Sequence, residues 1–531
     1  MVSLSSLPKR QIVITMAGVM LAMFLSSLDQ TIVGTAMPKI IVDLGGFTHY
    51  TWVTTAYLIT STVAVPITGK LTDMYGRKYF YIAGIAVFTL GSLLSGLSQT
   101  MLQIILFRAL QGIGAGVMIA NAFTVIGDLF PPAERGKYVG LMSGVFGLSA
   151  VVGPTLGGYI TDAISWHWVF FVNVPLGVLV ITLFVFFFPH IRPDGRHQID
   201  YLGVTTLILA VIPLLLALSW GGVDYEWSSP LIVGLLVFSA LMTFSFIMVE
   251  RHSPEPIIPL SLFRNQIVTI SQVVIFLTGF GMFGGIIFIP LFFQGVLGLS
   301  ATMSGSFLTP MTLAMVVGSL VSGQLLSRAG GHYRLIGAVG IAIMATGTAL
   351  LSRMTMSTSY ASAAVSIVLT GLGLGITMPL YTIAVQNAVP YSFLGIATSS
   401  TAFFRSIGGS VGLAVFGSVM NNRFASEFSL SLPGAVKSAI PPDQLSLLVH
   451  NPQLLFSPEA QSQFVAVFER LPQGGALLNQ TVLALRQSLN TALSQVFLLG
   501  LVAVLLALAV HLFIQEIPLR KQHGPDSPGE K

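Results

Sequence analysis

The sequence predicts an all-helical polytopic membrane protein with fourteen transmembrane helices. Three observations lead there: charge is scarce, apolar stretches recur at membrane-spanning length, and basic residues collect in alternate loops. Of the 531 residues, 54% are hydrophobic and 8% are charged, and the mean hydropathy is +0.85. Soluble proteins carry about 25% charged residues, so a soluble fold of this composition could not cover its own surface. The net charge of +5 does not point to nucleic acid, because Lys and Arg follow the positive-inside distribution of membrane loops. Cys is absent, which excludes disulfides and thiolate metal sites.

A helix needs about 20 apolar residues to cross the hydrocarbon. Stretches of that size lie near 12–37, 50–70, 79–98, 101–126, 137–162, 167–189, 200–219, 230–249, 267–295, 302–326, 334–352, 360–388, 395–420 and 490–515. The first has no small-residue cleavage site and reads as a retained helix. Lys9 and Arg10 precede it, and Lys70, Arg77 and Lys78, Arg135 and Lys137, Arg192 and Arg196, Arg251 and Arg264, Arg328 and Arg334, and Arg520 and Lys521 follow spans of even number. Both termini are therefore expected in the cytoplasm. Residues 421–489 form one long extracellular connection. Apolar spacings there, such as Leu445, Leu447 and Leu448 and then Phe464, Val465, Val467 and Phe468, predict short amphipathic helices on the outer face. The tail 521–531 is expected to be disordered.

An internal repeat divides the chain. Gly69-Lys-Leu-Thr-Asp73-Met-Tyr-Gly76 matches Gly323-Gln-Leu-Leu-Ser327-Arg-Ala-Gly330, and the tract Gly112, Gly114, Gly116 matches Gly371, Gly373, Gly375. Such repeats place a substrate path between halves. The expected organisation is an amino-terminal six-helix half (1–195), two inserted helices (196–262) and a carboxy-terminal six-helix half (263–520). Charge is not shared equally: Arg108 and Asp73 correspond to Ile367 and Ser327.

Asp29 is the carboxylate that falls well inside a spanning stretch, where an ionisable group is costly and usually functional. Asp29 and Arg108 each lie eight residues from the outer end of their spans, so about 12 Å deep at 1.5 Å per residue. Opposite charges at one depth can relieve each other's desolvation, and a change in their separation changes how tightly the acid holds a proton. That suits proton coupling better than a static strut, which apolar packing could replace.

At this point the chain resembles the major facilitator superfamily, and within it the fourteen-span EmrB/QacA-type drug:proton antiporters. Leu28-Asp29-Gln-Thr31-Ile32-Val33 through Pro38 is similar to that family's first-span motif, departing from it at Gly34 and Met37. Gly69, Asp73, Gly76, Arg77 and Lys78 belong to a segment close to the superfamily's cytoplasmic loop motif. Arg108-Ala-Leu-Gln111-Gly112 resembles the fourth-span motif with its proton-linked arginine. Gly144, Gly147, Gly153, Pro154, Gly157 and Gly158 resemble the antiporter motif of the fifth span, and Trp166-His-Trp168 through Asn173-Val-Pro175 is similar to the fourteen-span branch. The resemblance implies a major facilitator fold, a monomer, a bacterial inner-membrane location and a proton-coupling role for Asp29 and Arg108.

Elementary physics supports the same assignments. Asp73 can accept hydrogen bonds from helix-start amides or arginines of the facing half, as a cytoplasmic latch would. Glycines in span 5 permit close helix approach, and Pro154 permits a bend. Arg405 is a charge inside span 13 without an acid at its depth; it can snorkel, bind an anionic headgroup or line a cavity. Tyr57, Asn121, Gln294, Tyr381, Gln386 and Asn387 are further candidates to line the substrate cavity. One acid in an apolar, aromatic cavity suits lipophilic monocations or neutral amphiphiles. No GxxxxGK[ST] loop is present to cradle phosphates, which excludes a built-in ATPase. No His or acid cluster sits within the spans, so no enzyme activity is expected, and no cofactor, metal or nucleic-acid partner is expected either. Protons, membrane lipid and a small amphiphile are the expected partners. The leading reading is a proton-coupled multidrug exporter. An exporter or flippase of an endogenous lipid or cell-envelope component is the alternative, and a non-transporting scaffold is a remote one.

Overall fold

The computed structural model describes residues 8–44, 50–189, 197–299, 307–328, 332–439 and 474–520, together with positions 303, 465 and 468. The described chain is helical and carries fourteen long helices. We number them α1 (Lys9–Leu44), α2 (Tyr50–Tyr75), α3 (Arg77–Gly96), α4 (Met101–Leu129), α5 (Pro132–Ala163), α6 (His167–Phe187), α7 (Tyr201–Trp220), α8 (Pro230–His252), α9 (Gln266–Leu291), α10 (Leu308–Arg328), α11 (Tyr333–Ser352), α12 (Tyr360–Ala388), α13 (Leu394–Ser431) and α14 (Gly474–His511). Thirteen are long and apolar enough to cross a membrane. The remaining helix, α2, is diluted by Thr, Ser and Tyr. Helix starts follow local chemistry: Thr100, Asp200, Ser229, Asn265 and Ser359 each accept a hydrogen bond from a first-turn amide.

Several boundaries differ from those the sequence predicts. Helix α6 is interrupted at Val172, between His167–Phe171 and Asn173–Phe187. Helix α9 ends in a π-helical turn, Phe292–Val296, that carries Gln294. The last two helices are 38 residues each, about 57 Å at 1.5 Å per residue. They project well beyond a core of about 30 Å, so 421–431 and 474–489 are helix and not loop. Of the amphipathic pattern, Leu445, Leu447, Leu448, Phe464 and Val467 lie outside the described residues. Phe468 is buried in one cluster with Phe424 and Phe428 of α13 and with Leu432 just beyond it, and so packs on its own bundle. Residues 521–531 also lie outside the described residues.

Helices α1–α6 pack among themselves, as do α9–α14. The repeated glycines do equivalent work in each set. Gly112 and Gly116 let α4 approach α2 (Tyr57 and Ser61 carbonyls), while Gly114 meets α3 at Gly84 and Phe88. Gly371 and Gly375 set α12 against the Met311 and Met315 carbonyls of α10, while Gly373 meets α11 at Gly340 and Met344. Helices α7 and α8 pair with each other, and α7 lies against α2 and α13.

The two six-helix sets meet through α5 with α10 and α2 with α13. The hydrogen bonds described between them gather at the face where the described chain begins, at Pro8, and ends, at Arg520; this is the terminal face. There Gly136 and Gly323 oppose each other so closely that a Cβ on Gly136 would lie 2.1 Å from the Gly323 carbonyl oxygen. Backbone stands on both sides of that contact and cannot rotate away. Overpacking of this kind costs roughly 1–3 kcal/mol. Gly136→Val should therefore weaken closure of the terminal face by about an order of magnitude or more. The readout is maleimide labelling of a cysteine introduced at the buried Ser399, in a chain that has no cysteine of its own. Unchanged labelling would show that the contact is not needed for closure.

Candidate functional site

Asp29 sits on α1, fully buried, and its carboxylate is enclosed by donors from two other helices. Arg108 on α4 donates to Asp29 Oδ2 at 2.5 Å. One turn on, Gln111 donates to Oδ1 at 2.9 Å while its own Oε1 accepts from Arg108 at 2.7 Å. A spacing of three residues places both side chains on one face of the helix. Asn173, the first residue after the break in α6, donates to Oδ1 at 2.9 Å and to Ser92 Oγ at 3.0 Å. Arg108 also donates to the Val53 carbonyl at 3.4 Å and lies 4.2 Å from the ring centroid of Tyr57. Asp29, Gln111 and Asn173 are 0% exposed and Arg108 1%. An ion pair so enclosed needs its remaining hydrogen-bond positions filled, and Gln111 and Asn173 fill them.

Helix α1 is tied in turn to α5. Thr31 donates to the Ser149 carbonyl at 3.1 Å. A Cβ on Gly153 would fall 2.0 Å from Thr31 Oγ1, and one on Gly157 2.7 Å from the Ile32 carbonyl oxygen. Lower on the same helix, Gly147 faces Val316 and Thr312 of α10, with Gly144 at a looser 3.6 Å from Val316. Gly158 has no neighbour within that reach. Thus α5 packs one stretch against α1 in its own half and another against the opposite half.

A second cluster closes the terminal face. Asp73 on α2 accepts from the amides of Gly395 and Ile396 at 2.9 Å each, at the start of α13 in the opposite half. The helix dipole favours an acid there. Gly69, one turn earlier, leaves room for Ser399 and the Gly395 carbonyl. Arg77 pairs with Asp73 at 3.1 Å and with Asp128 of α4, and Tyr391 donates to Asp128 at 3.0 Å. Gly76 holds φ 89°, a left-handed turn that starts α3 without the strain a side chain would bring. Lys78 instead donates to the Val185 carbonyl within its own half.

A sequence profile of the Major Facilitator Superfamily matches residues 19–413, well over half of the chain. The chain belongs to the major facilitator superfamily. Among its relatives, a multidrug transporter protein, MdtP, of Bacillus subtilis is 40% identical over 529 residues, covering 98% of this chain and 95% of the relative. Multidrug resistance protein 3 of the same organism is 38% identical over 497 residues, covering 94% of each. Among solved structures, the human organic anion transporter MFSD10 (TETRAN) superposes with a TM-score of 0.60 at 13% identity, covering 94% of this chain and 100% of the other. That likeness speaks to the fold alone. This major facilitator protein is an integral membrane transporter and not an enzyme.

The expected cavity residues of this transporter do not converge on one site. Tyr57 stacks on Arg108 and belongs with Asp29. Asn121 donates to the Val117 carbonyl at 2.9 Å and leaves its buried Oδ1 without a partner. Tyr381 bonds His511 at 2.7 Å. Gln386 joins the terminal-face cluster, accepting from Arg135 at 3.2 Å and donating to the Phe123 carbonyl at 3.1 Å. Asn387 bonds the backbone of Pro518 and Arg520. Gln294 and Arg405 remain partly exposed.

Sequence reasoning passed over Gln111, Asn173, Arg135 and Asp128 as site residues. Gln111 and Asn173 stood inside the quoted motifs, and their spacing to Arg108 and to the broken sixth span was the available signal. Removing one donor from a buried charged acceptor costs about 1–3 kcal/mol or more. Asn173→Leu and Gln111→Leu should each lower the melting temperature of the detergent-purified protein and impair transport, whereas Lys78→Ala should leave the melting temperature nearly unchanged. Equal melting curves for all three would refute the assignment of Gln111 and Asn173 as stabilising donors.

Proposed function

We propose that this chain is a proton-coupled exporter of lipophilic small molecules that works by alternating access in a bacterial plasma membrane, with the terminal face in the cytoplasm. The observation that carries the proposal is the enclosed carboxylate of Asp29, held by Arg108, Gln111 and Asn173. A charge sealed away from water is an expensive feature, and it is rare in membranes unless a charge or proton is handled there. The names of the relatives, a multidrug transporter and a multidrug resistance protein, support export of chemically varied small molecules. The Lys and Arg residues in the loops of the terminal face support its cytoplasmic placement.

The proton acts as a release. A protonated Asp29 no longer pairs with the Arg108 charge and carries one new donor among groups arranged to donate to it. Its hold on α4 and α6 weakens, and α1 is free to shift against them. Through Thr31, Gly153 and Gly157 that shift passes to α5, whose other end forms the Gly136–Gly323 contact between halves. The terminal face opens when Asp73 lets go of the α13 amides, exposing the path to the cytoplasm.

The decisive experiment is substrate-driven proton movement in liposomes containing the purified protein, with a neutral lipophilic dye as cargo. Asp29→Asn should reduce the coupled proton flux by about tenfold or more, the factor that roughly 1.4 kcal/mol represents. Proton flux that survives the substitution would reduce Asp29 to a structural strut and remove the basis of the proposal.

A further inference from the structure

Among the described residues, Asp29, Arg108 and Arg405 are the charges that stand away from both faces of the bundle. The first two neutralise each other and are sealed. Arg405 is different. No carboxylate and no hydrogen-bond acceptor among the described residues engages its guanidinium. It lies eleven residues into α13, counted from Leu394, about 16 Å along the axis and near the middle of a core of about 30 Å.

Its direction follows from the helix that carries it. The face of α13 that bears Ile396, Phe403 and Ile407 clusters with Leu207, Val211 and Leu215 of the inserted helix α7. Two residues along an α-helix turn by about 200°, so Arg405 points away from Phe403, Ile407 and the peripheral helix. Its Cγ lies against Gly279 of α9, where an added Cβ would come within 3.3 Å of it and within 2.7 Å of the Arg405 carbonyl oxygen. The backbones of α9 and α13 thus pass closely at this level. Helix α13 also touches α2 and α4 of the opposite half, which sets Arg405 on the helix that forms the seam between halves. The side chain is nevertheless partly exposed. A guanidinium at this depth facing hydrocarbon would cost several kcal/mol, so the exposure opens onto an internal space.

We propose that Arg405 is a substrate-binding residue that takes the carboxylate of an acidic, lipophilic small molecule, so that the exporter accepts organic anions. The planar guanidinium fork matches a carboxylate bidentately, and an unpaired fork in a space of low polarity is a strong anion trap. A cationic cargo would meet an unpaired positive charge and find Asp29 already engaged. The inference rests on the export reading above, and adds an electrical consequence to it. Outward movement of an anion and inward movement of a proton both carry positive charge inward, so an interior-negative potential drives the exchange.

The test uses a coumarin carboxylic acid and its methyl ester, which differ in charge but hardly in shape, with the full-length protein. The acid should bind the detergent-purified wild type at least about tenfold more tightly than the ester. Arg405→Gln should erase that difference while ester binding persists, and Arg405→Lys should keep part of it, since the charge remains and the fork is lost. In proteoliposomes, an interior-negative potential should speed export of the acid more steeply than that of the ester, because two charges move with each acid exchanged for a proton and one with each ester. Equal binding of acid and ester by the wild type, or a parallel loss of both in Arg405→Gln, overturns the proposal. If Arg405→Gln does not fold, the wild-type comparison and Arg405→Lys still decide. A preference for the acid without any proton-driven movement of either compound would sink the export reading and leave the anion site standing.

Discussion

A carboxylate that cannot reach water must be supplied with donors by its neighbours, and Asp29 imposes this demand on half of the molecule. Meeting it fixes the depth and rotation of α4, which has to present Arg108 and Gln111 together. It also accounts for the interruption of α6 at Val172, which brings Asn173 into the core at the start of a fresh helical segment. The glycine tract that follows Arg108 then lets α4 sit against α2 and α3 without displacing those side chains. Three helices are thus positioned by one buried charge, and hydrophobic packing fills in around a geometry that electrostatics has already constrained.

The two halves share an architecture but divide their labour. Equivalent glycines pack α4 and α12, yet the ion pair has no counterpart where Ile367 replaces Arg108, and the latch has none where Ser327 replaces Asp73. Asp73 binds the start of α13 in the opposite half, whereas the hydroxyl of Ser327 is left buried without a partner. The related seam relies instead on bare backbone, Gly136 against Gly323. One seam is held by charge and the other by shape. Their responses to ionic and steric perturbation therefore differ, although topology relates them.

Much of this was legible in the sequence because membrane insertion leaves a coarse, robust record. Span length, loop charge and the repeated glycine tracts are read without knowing any contact, and the pairing of Asp29 with Arg108 follows from equal depth. Rotation about each helix axis is not recorded in that way. Tyr381, Gln386 and Asn387 are polar residues on a central helix, and the choice between cavity and gate depended on an orientation that only packing sets. Helix ends beyond the membrane were hidden for a related reason. Hydropathy falls at the headgroups whether or not the helix continues, so the extensions of α13 and α14 read as loop.

The chain beyond α14 makes the terminal face more than a meeting of helix ends. Gln266 donates to the Phe513 carbonyl at 3.1 Å, Tyr333 accepts from the Ile517 amide at 2.5 Å, and the Arg334 amide donates to Glu516 at 2.9 Å. Arg520 then donates its amide to Asn387 of the second half and accepts at its carbonyl from the Ala133 amide of the first. A single residue near the end of the polypeptide therefore bridges the pair of halves. They cannot part at that face while both of these bonds hold, so the segment after α14 works as a buckle between them, and any parting of the halves there would have to undo it on one side.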